Sequence, residues 1–399
     1  MRLHRFIVTF ASLAFAAALA APASAAVETS AEHGILMDGA TGQVLWAKDA
    51  FVPMPPASMS KLMTIDLLFQ RLKDGRVKLT DTFPVSEEAW RTGGSKMFVS
   101  VGSRVPVEDL IRGIIIQSGN DACVVVAEAL GGTVQGFVNM MNARARQLGL
   151  AQSHFVNPDG LPDPPGQMMS ALDLAKLARH IIITYPQYYH YFSERSFVWN
   201  NITQQNRDTV LEKFPRADGL KTGHTDAAGY GIVASAVQNG QRLILVVNGL
   251  RYPDLANASP QKQDWVAEQR RGDEAARILG VAFREFRRYS LFKANDVVGQ
   301  AHVFKGESSM VPVKVGEPLD VTMQADSRSG MKVTLKYDGP VEAPVALNQQ
   351  IGTLTVSAPD FPGKSVPVYA AQADPETGFF GRIVLALHAL ISGNTAPAQ

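Results

Sequence analysis

Ser58-Met59-Ser60-Lys61 follows Pro55-Pro56 and opens an apolar run, Leu62 to Leu68, with helical periodicity. Residues three apart share a helical face, so the Ser58 hydroxyl and the Lys61 amine can meet. A serine is a weak nucleophile at neutral pH and needs a base beside it. A lysine that burial and neighbouring cations make neutral can take its proton. The helix N-terminus adds positive potential where an oxyanion would develop. Ser118-Gly119-Asn120 stands between two apolar helical patterns, and Lys221-Thr222-Gly223 precedes a pair of β-rich runs. Alone, each piece is weak: roughly one or two Ser-x-x-Lys matches arise by chance in such a chain. Ser259, Ser290 and Ser329 begin further ones, and Ser392-Gly393-Asn394 repeats the second. Lys-Thr-Gly is rarer, about 0.1 per chain by chance. The three together, in order and in helix, turn and strand contexts, carry the signal.

Those contexts define what must position them. Gly34 to Met37 and Val44 to Trp46 flank Asp38 to Gly42 as a β-hairpin. Tyr230 to Gln238 and Gln241 to Asn248 form another around Asn239-Gly240, a pair suited to a type I′ turn. Between them, Leu62 to Leu68, Leu110 to Ile116, Cys123 to Leu130 and Leu172 to Ile183 are periodic at 3.6 residues. This predicts an α+β domain, with helices packed on an antiparallel sheet that both chain ends build. A further helix is expected over Arg271 to Tyr289, with a domain boundary near Tyr289. Residues 290–373 alternate in short runs broken by Gly, Pro and Asp and read as a small all-β domain.

Composition narrows the function. With 399 residues, the chain has ample length for more than one core, and 38 Lys plus Arg against 37 Asp plus Glu exclude a global basic field. No nucleic-acid partner is expected. Cys123 is the only cysteine, which excludes a disulfide and a cysteine-rich metal site; it reads as a buried helix residue, and His154, His180 and His190 lack metal-ligand grouping. Residues 1–25 read as a cleaved secretory signal: Arg2, His4 and Arg5, an apolar stretch to Ala21, then Ala23-Ser24-Ala25. Residues 374–399 contain Phe379 to Ile391, apolar around most of a helix but short of a membrane span, so this segment is expected to lie on a membrane.

The chain resembles the low-molecular-mass penicillin-binding proteins that are serine-type D-Ala-D-Ala carboxypeptidases. Pro56 to Thr64, Gln117 to Ala122, Asn157 to Leu161, Asp218 to Thr225 and Gly378 to Arg382 carry the likeness. The resemblance implies a penicillin-binding/β-lactamase-like transpeptidase domain over 26–289 and no metal or cofactor. Ser58 would attack the carbonyl between two terminal D-alanines, Lys61 accept its proton, Ser118 relay a proton to the leaving amine and Asn120 orient the substrate amide. Lys221, Thr222, Gly223 and His224 would line the substrate, with backbone N–H groups of Ser58 and His224 as the oxyanion hole. Arg271 matches the family's carboxylate-binding arginine, although adjacent Arg270 leaves the register open. The expected partners are peptidoglycan stem peptides and β-lactams, and the expected location is the periplasmic face of the inner membrane.

Two features depart from the family pattern: Met168-Met169-Ser170-Ala171 replaces a segment that often carries histidine, and Tyr252 to Gln269 resembles an insertion. A D,D-endopeptidase and a β-lactamase are the rival activities. For the β-lactamase, Glu128, Glu194 and Glu212 are the glutamates between the second and third motifs, and none has the expected context. A non-catalytic alternative is a cell-wall-binding morphogenetic factor.

Overall fold

The structure is a computed structural model that describes residues 27–359 and 361–378. The expected signal segment and the apolar segment from Phe379 lie outside these residues.

Five antiparallel strands form the central sheet, in the order Val44–Lys48, His33–Asp38, Gln241–Leu250, Gly229–Gln238 and Ala217–Thr225. Both chain ends contribute, as the hairpin signals require. At the tight connection, Asn239 and Gly240 have φ of 51° and 74°, the two positive angles of a type I′ turn, and Gln238 pairs with Gln241. Strand periodicity then sorts the sheet into two apolar faces. Ile35, Val246 and Val233 align across three strands and face one core, while Leu36, Leu245 and Ala234 align one residue away and face the other. Each fully buried aliphatic contributes about 1.5–3 kcal/mol, and a one-residue slip would exchange the two sets, so the register is strongly specified.

The first face lies directly against helix Ala171–Thr184 and shares one apolar core with helices Lys61–Lys73, Val107–Ile115 and Asn120–Gly131; the four helices cover the four periodic stretches of the sequence to within a residue. The second face is covered by one helix, Pro260–Glu285. Its Ala275, Ile278, Leu279, Ala282 and Phe283 repeat at helical spacing as the stripe that meets the sheet. This helix starts before the expected Arg271, because Ser259-Pro260 provides a favourable start, and most of the insertion-like stretch becomes its first turns. It also ends before Tyr289. Phe286–Phe292 is a strand paired with Leu319–Gln324, and this pairing across the chain overrides the local helical pattern.

Beyond it, a six-stranded sheet runs in the order Lys332–Tyr337, Gln350–Ala358, Phe361–Ala370, Met310–Val315, Val297–Phe304 and Val341–Glu342, around its own apolar core. The two units meet where Thr322 donates to the buried Asp38 carboxylate at 2.8 Å and Gln43 donates to the Thr322 carbonyl at 2.5 Å.

Candidate active site

Ser58 lies in a single 3₁₀ turn, Ala57–Ser60, and the α-helix proper begins at Lys61, three residues later than the expected helix opening. Pro55-Pro56 and the left-handed φ of 47° at Ala57 account for the abrupt entry. Lys61 is fully buried, and its Nζ donates to Ser58 Oγ at 2.7 Å, Asn120 Oδ1 at 2.7 Å and the Asp159 carbonyl at 2.5 Å. An ammonium fills all three contacts. A neutral amine keeps two donors for Asn120 and Asp159 and turns its lone pair to Ser58. Burial pulls the Lys61 pKa below its ordinary value; Arg207 adds to this, while Asp159 and Asp121 oppose it.

Ser118 occupies the turn before helix Asn120–Gly131 with φ of 63°, rare for a non-glycine residue. Its hydroxyl is buried and has no partner among the described residues, so a substrate group can use it. Asn120 holds Lys61 and also donates from Nδ2 to the Gly93 carbonyl at 2.8 Å. Asp121 accepts from the amides of Met97, Phe98 and Val99, which fixes the loop that brings Gly94 and Ser95 to the cleft.

Lys221, Thr222, Gly223 and His224 lie on Ala217–Thr225, the edge strand of the sheet. A side chain at Gly223 would meet the Pro56 carbonyl at 3.0 Å and the Ser58 nitrogen at 3.1 Å, so glycine lets the strand approach the serine turn. Gly160, at φ of 84°, packs against the same turn, where a Cβ would collide with the Ala57 carbonyl. Lys221 is buried, and its pKa falls well below the ordinary value through burial, then through repulsion from Lys61, Arg207 and Arg271. The solvated strand lysine that the isolated motif would allow is not what forms.

Arg271 is buried in the wall of the cleft and donates from Nη2 to the Arg207 carbonyl at 3.0 Å. Arg270 instead pairs with Asp254 at 2.9 and 2.7 Å, outside the cleft lining. The structure therefore lines one cavity of about 180 Å³ with Ser58, Ser118, Asn120, Thr222, Gly223, His224 and Arg271, sets Lys61 behind Ser58 and Asn120, and buries Lys221 near enough to Lys61, Arg207 and Arg271 to be repelled by them.

Sequence reasoning left several participants unassigned. Asp159, inside the quoted Asn157 to Leu161 stretch, acts through a main-chain carbonyl, which its identity does not reveal. Arg207, Tyr230, Asp264 and Glu268 also line the cavity. The spacing of Asp264, Glu268 and Arg271 on one helix was available as a signal, but only once that helix was known to start at Pro260.

The rival glutamates lie elsewhere: Glu128 accepts from Ser86 at 2.8 Å, Glu194 pairs with Arg112 at 2.8 Å, and none of the three lines the cavity. Met169 is buried and bridges Met54 through the backbone, and Ser170 caps helix Ala171–Thr184, so this departure from the family pattern serves packing. Burial pushes the Cys123 thiol up to about 12, which suits a packed core thiol and not a nucleophile.

Residues 19–251 match the D-alanyl-D-alanine carboxypeptidase (peptidase S11) family, and residues 286–376 match the C-terminal domain of penicillin-binding protein 5. The chain is 36% identical over 391 residues to the D-alanyl-D-alanine carboxypeptidase DacC of Escherichia coli, covering 95% of this chain and 92% of the relative. It is 35% identical over 373 residues to DacD of Salmonella typhimurium, covering 91% and 90%. Among solved structures, penicillin binding protein 5 from Haemophilus influenzae superposes with a TM-score of 0.76 at 32% identity, over 88% of this chain and 99% of that one. With its serine turn, edge strand and β domain arranged as described, the chain belongs to the family of serine-type D-alanyl-D-alanine carboxypeptidases, the low-molecular-mass penicillin-binding proteins.

Proposed function

We propose that the protein removes the terminal D-alanine from peptidoglycan stem pentapeptides through an ester on Ser58. The observation that carries this reading is the buried Lys61 amine, 2.7 Å from Ser58 Oγ, with its pKa lowered by burial. Neutral Lys61 takes the hydroxyl proton as Oγ attacks the carbonyl carbon of the penultimate D-alanine. The backbone N–H groups of Ser58 and His224 receive the oxyanion. Ser118 relays that proton from Lys61 to the leaving amine, the C–N bond breaks, D-alanine leaves and Lys61 is neutral again. Water then hydrolyses the ester, Lys61 again acting as base, and frees the tetrapeptide. Arg271 holds the terminal carboxylate, and the Arg207 and Arg271 guanidiniums keep the cleft electropositive beside the buried Lys221. A β-lactam presents a comparable amide and acylates Ser58. The sequence supports export by residues 1–25 and placement on the periplasmic face of the inner membrane, with the segment from Phe379 as a membrane-lying anchor.

Incubation with a stem pentapeptide, a cross-linked dimer and a penicillin, followed by mass analysis, tests the reading. Release of D-alanine and a penicillin adduct on the Ser58 peptide are expected. Adducts on Ser60 or Ser118 overturn the nucleophile, rapid penicillin turnover without an adduct favours a β-lactamase, and cleavage of the dimer alone favours an endopeptidase.

A further inference from the structure

Arg271 and the Lys221–His224 stretch reach the cleft from different elements, a helix and a sheet edge, and their charges oppose close approach. Lys61, Lys221, Arg207 and Arg271 converge there, and mutual repulsion contributes to the lowered pKa of Lys221. The Arg271 Nε is buried and without a partner among the described residues, so nothing at that atom holds the helix in place.

Apolar packing seats the later turns of this helix, from Ala275 to Phe283, on the sheet, and a side-chain hydrogen bond joins its first turns to the strand beside the cleft. Asp264 lies seven residues before Arg271 on the same face of helix Pro260–Glu285, and its Oδ1 accepts from the Tyr230 hydroxyl at 3.0 Å. Tyr230 belongs to strand Gly229–Gln238 and is the cross-strand partner of His224. Cross-strand partners share a face of the sheet, and here the two rings lie parallel, 3.7 Å between centroids and 8° between planes. Burial lowers the His224 pKa, which favours the uncharged ring in that stack. Tyr252 continues the row, 5.7 Å from Tyr230, and the Arg270 guanidinium lies 5.5 Å over its ring.

We propose that Tyr230 and Asp264 are positioning residues that tie helix Pro260–Glu285 to the edge of the sheet and so set the distance between Arg271 and His224 at the carboxylate end of the cleft. The inference rests on the carboxypeptidase reading of this site and adds two residues, Tyr230 and Asp264, that no catalytic motif marks.

Tyr230→Phe keeps the ring and its stack and removes only the donor. The KM for a stem pentapeptide should rise about five- to tenfold, the scale of one lost hydrogen bond, with kcat within about twofold. Asp264→Ala should match it, and the double variant should show no further rise, because both remove the same contact. Asp264→Asn keeps an accepting oxygen and should stay near wild type. Unchanged KM in Tyr230→Phe, losses that multiply in the double variant, a loss confined to kcat, or Asp264→Asn behaving as Asp264→Ala would each overturn the tether. Penicillin also carries a carboxylate beside its reactive amide, so the half-saturating concentration for labelling Ser58 should rise in parallel. If wild type is labelled but releases no D-alanine from the pentapeptide, the carboxypeptidase reading fails, while the labelling arm still decides the tether.

Discussion

In the serine domain, Lys61, Lys221, Arg271, Ser118, Asn120 and Asp159 are buried together around one cleft, whereas the β domain buries an almost wholly apolar set, with Thr322, Ser327 and Asp374 as its buried polar exceptions among the described residues. Val311, Val313 and Val315 alternate along one strand and Leu319, Val321 and Met323 along another, so every second residue adds apolar burial to a common core. Around Ser58 the interior instead holds basic groups whose charged forms burial disfavours, kept in place by hydrogen bonds and by the apolar core beneath. Burial that stabilises one domain is used in the other to weaken a lysine's hold on its proton.

The largest effect expected from breaking that contrast is at Lys61. Lys61→Ala should slow penicillin acylation of Ser58 by roughly 10²–10⁴, and Lys61→Arg should not restore it, because a guanidinium stays protonated. Normal acylation in the arginine variant would make Lys61 a charge and not a base. At Arg271, an alanine substitution should raise the KM for the pentapeptide by about tenfold or more, because it removes the proposed charge-assisted contact to the terminal carboxylate. Steady-state kinetics with a peptide ending in an amide, on which wild type and variant should be equally poor, separates that role from general disruption.

The β domain should respond in the opposite sense. Leu319→Ala should cost about 2–5 kcal/mol through the cavity it leaves, read as a lowered denaturation midpoint, while the rate of Ser58 labelling stays unchanged. A parallel loss of labelling would show that the two units act as one.

Protonation sharpens the comparison further. The folded-state pKa of Lys61 lies below its unfolded value of 10.5, so the folded protein binds fewer protons. The resulting penalty is full below the folded pKa and disappears as pH rises through the unfolded one. Relative to Lys61→Met, wild type should therefore gain stability as pH increases, by denaturant titration at several pH values. Acylation should rise over the lower part of this range, as the neutral amine accumulates at a pH where an exposed lysine is still charged. The smallest effect belongs to Gly240→Ala, which places a side chain at φ of 74° in an open turn and should cost about 1 kcal/mol with no change in acylation.

Much of this was legible in the residues because the relevant forces are local or periodic. The Asn239-Gly240 turn, the paired faces of the sheet strands and the four helices behind Ser58 follow from backbone preference and apolar spacing. The hairpin of Ser196–Trp199 and Ile202–Gln205 did not stand out in a stretch that reads as largely helical, nor did the strand at Phe286. Both depend on partners supplied by the fold.

By itself the sequence determined that a serine and a lysine three residues apart stand at the entry to an apolar helix, that a glycine follows Lys221-Thr222, and that an alternating β domain succeeds the helical one. Only the tertiary structure decided that Lys61 has its three acceptors, that Arg271 and not Arg270 faces the cleft, and that Tyr230 reaches Asp264. The physical reason is that a nucleophile's neighbours can be spaced along one chain segment, whereas desolvation, repulsion between distant cations and a hydrogen bond from a strand to a helix exist only after those segments have packed.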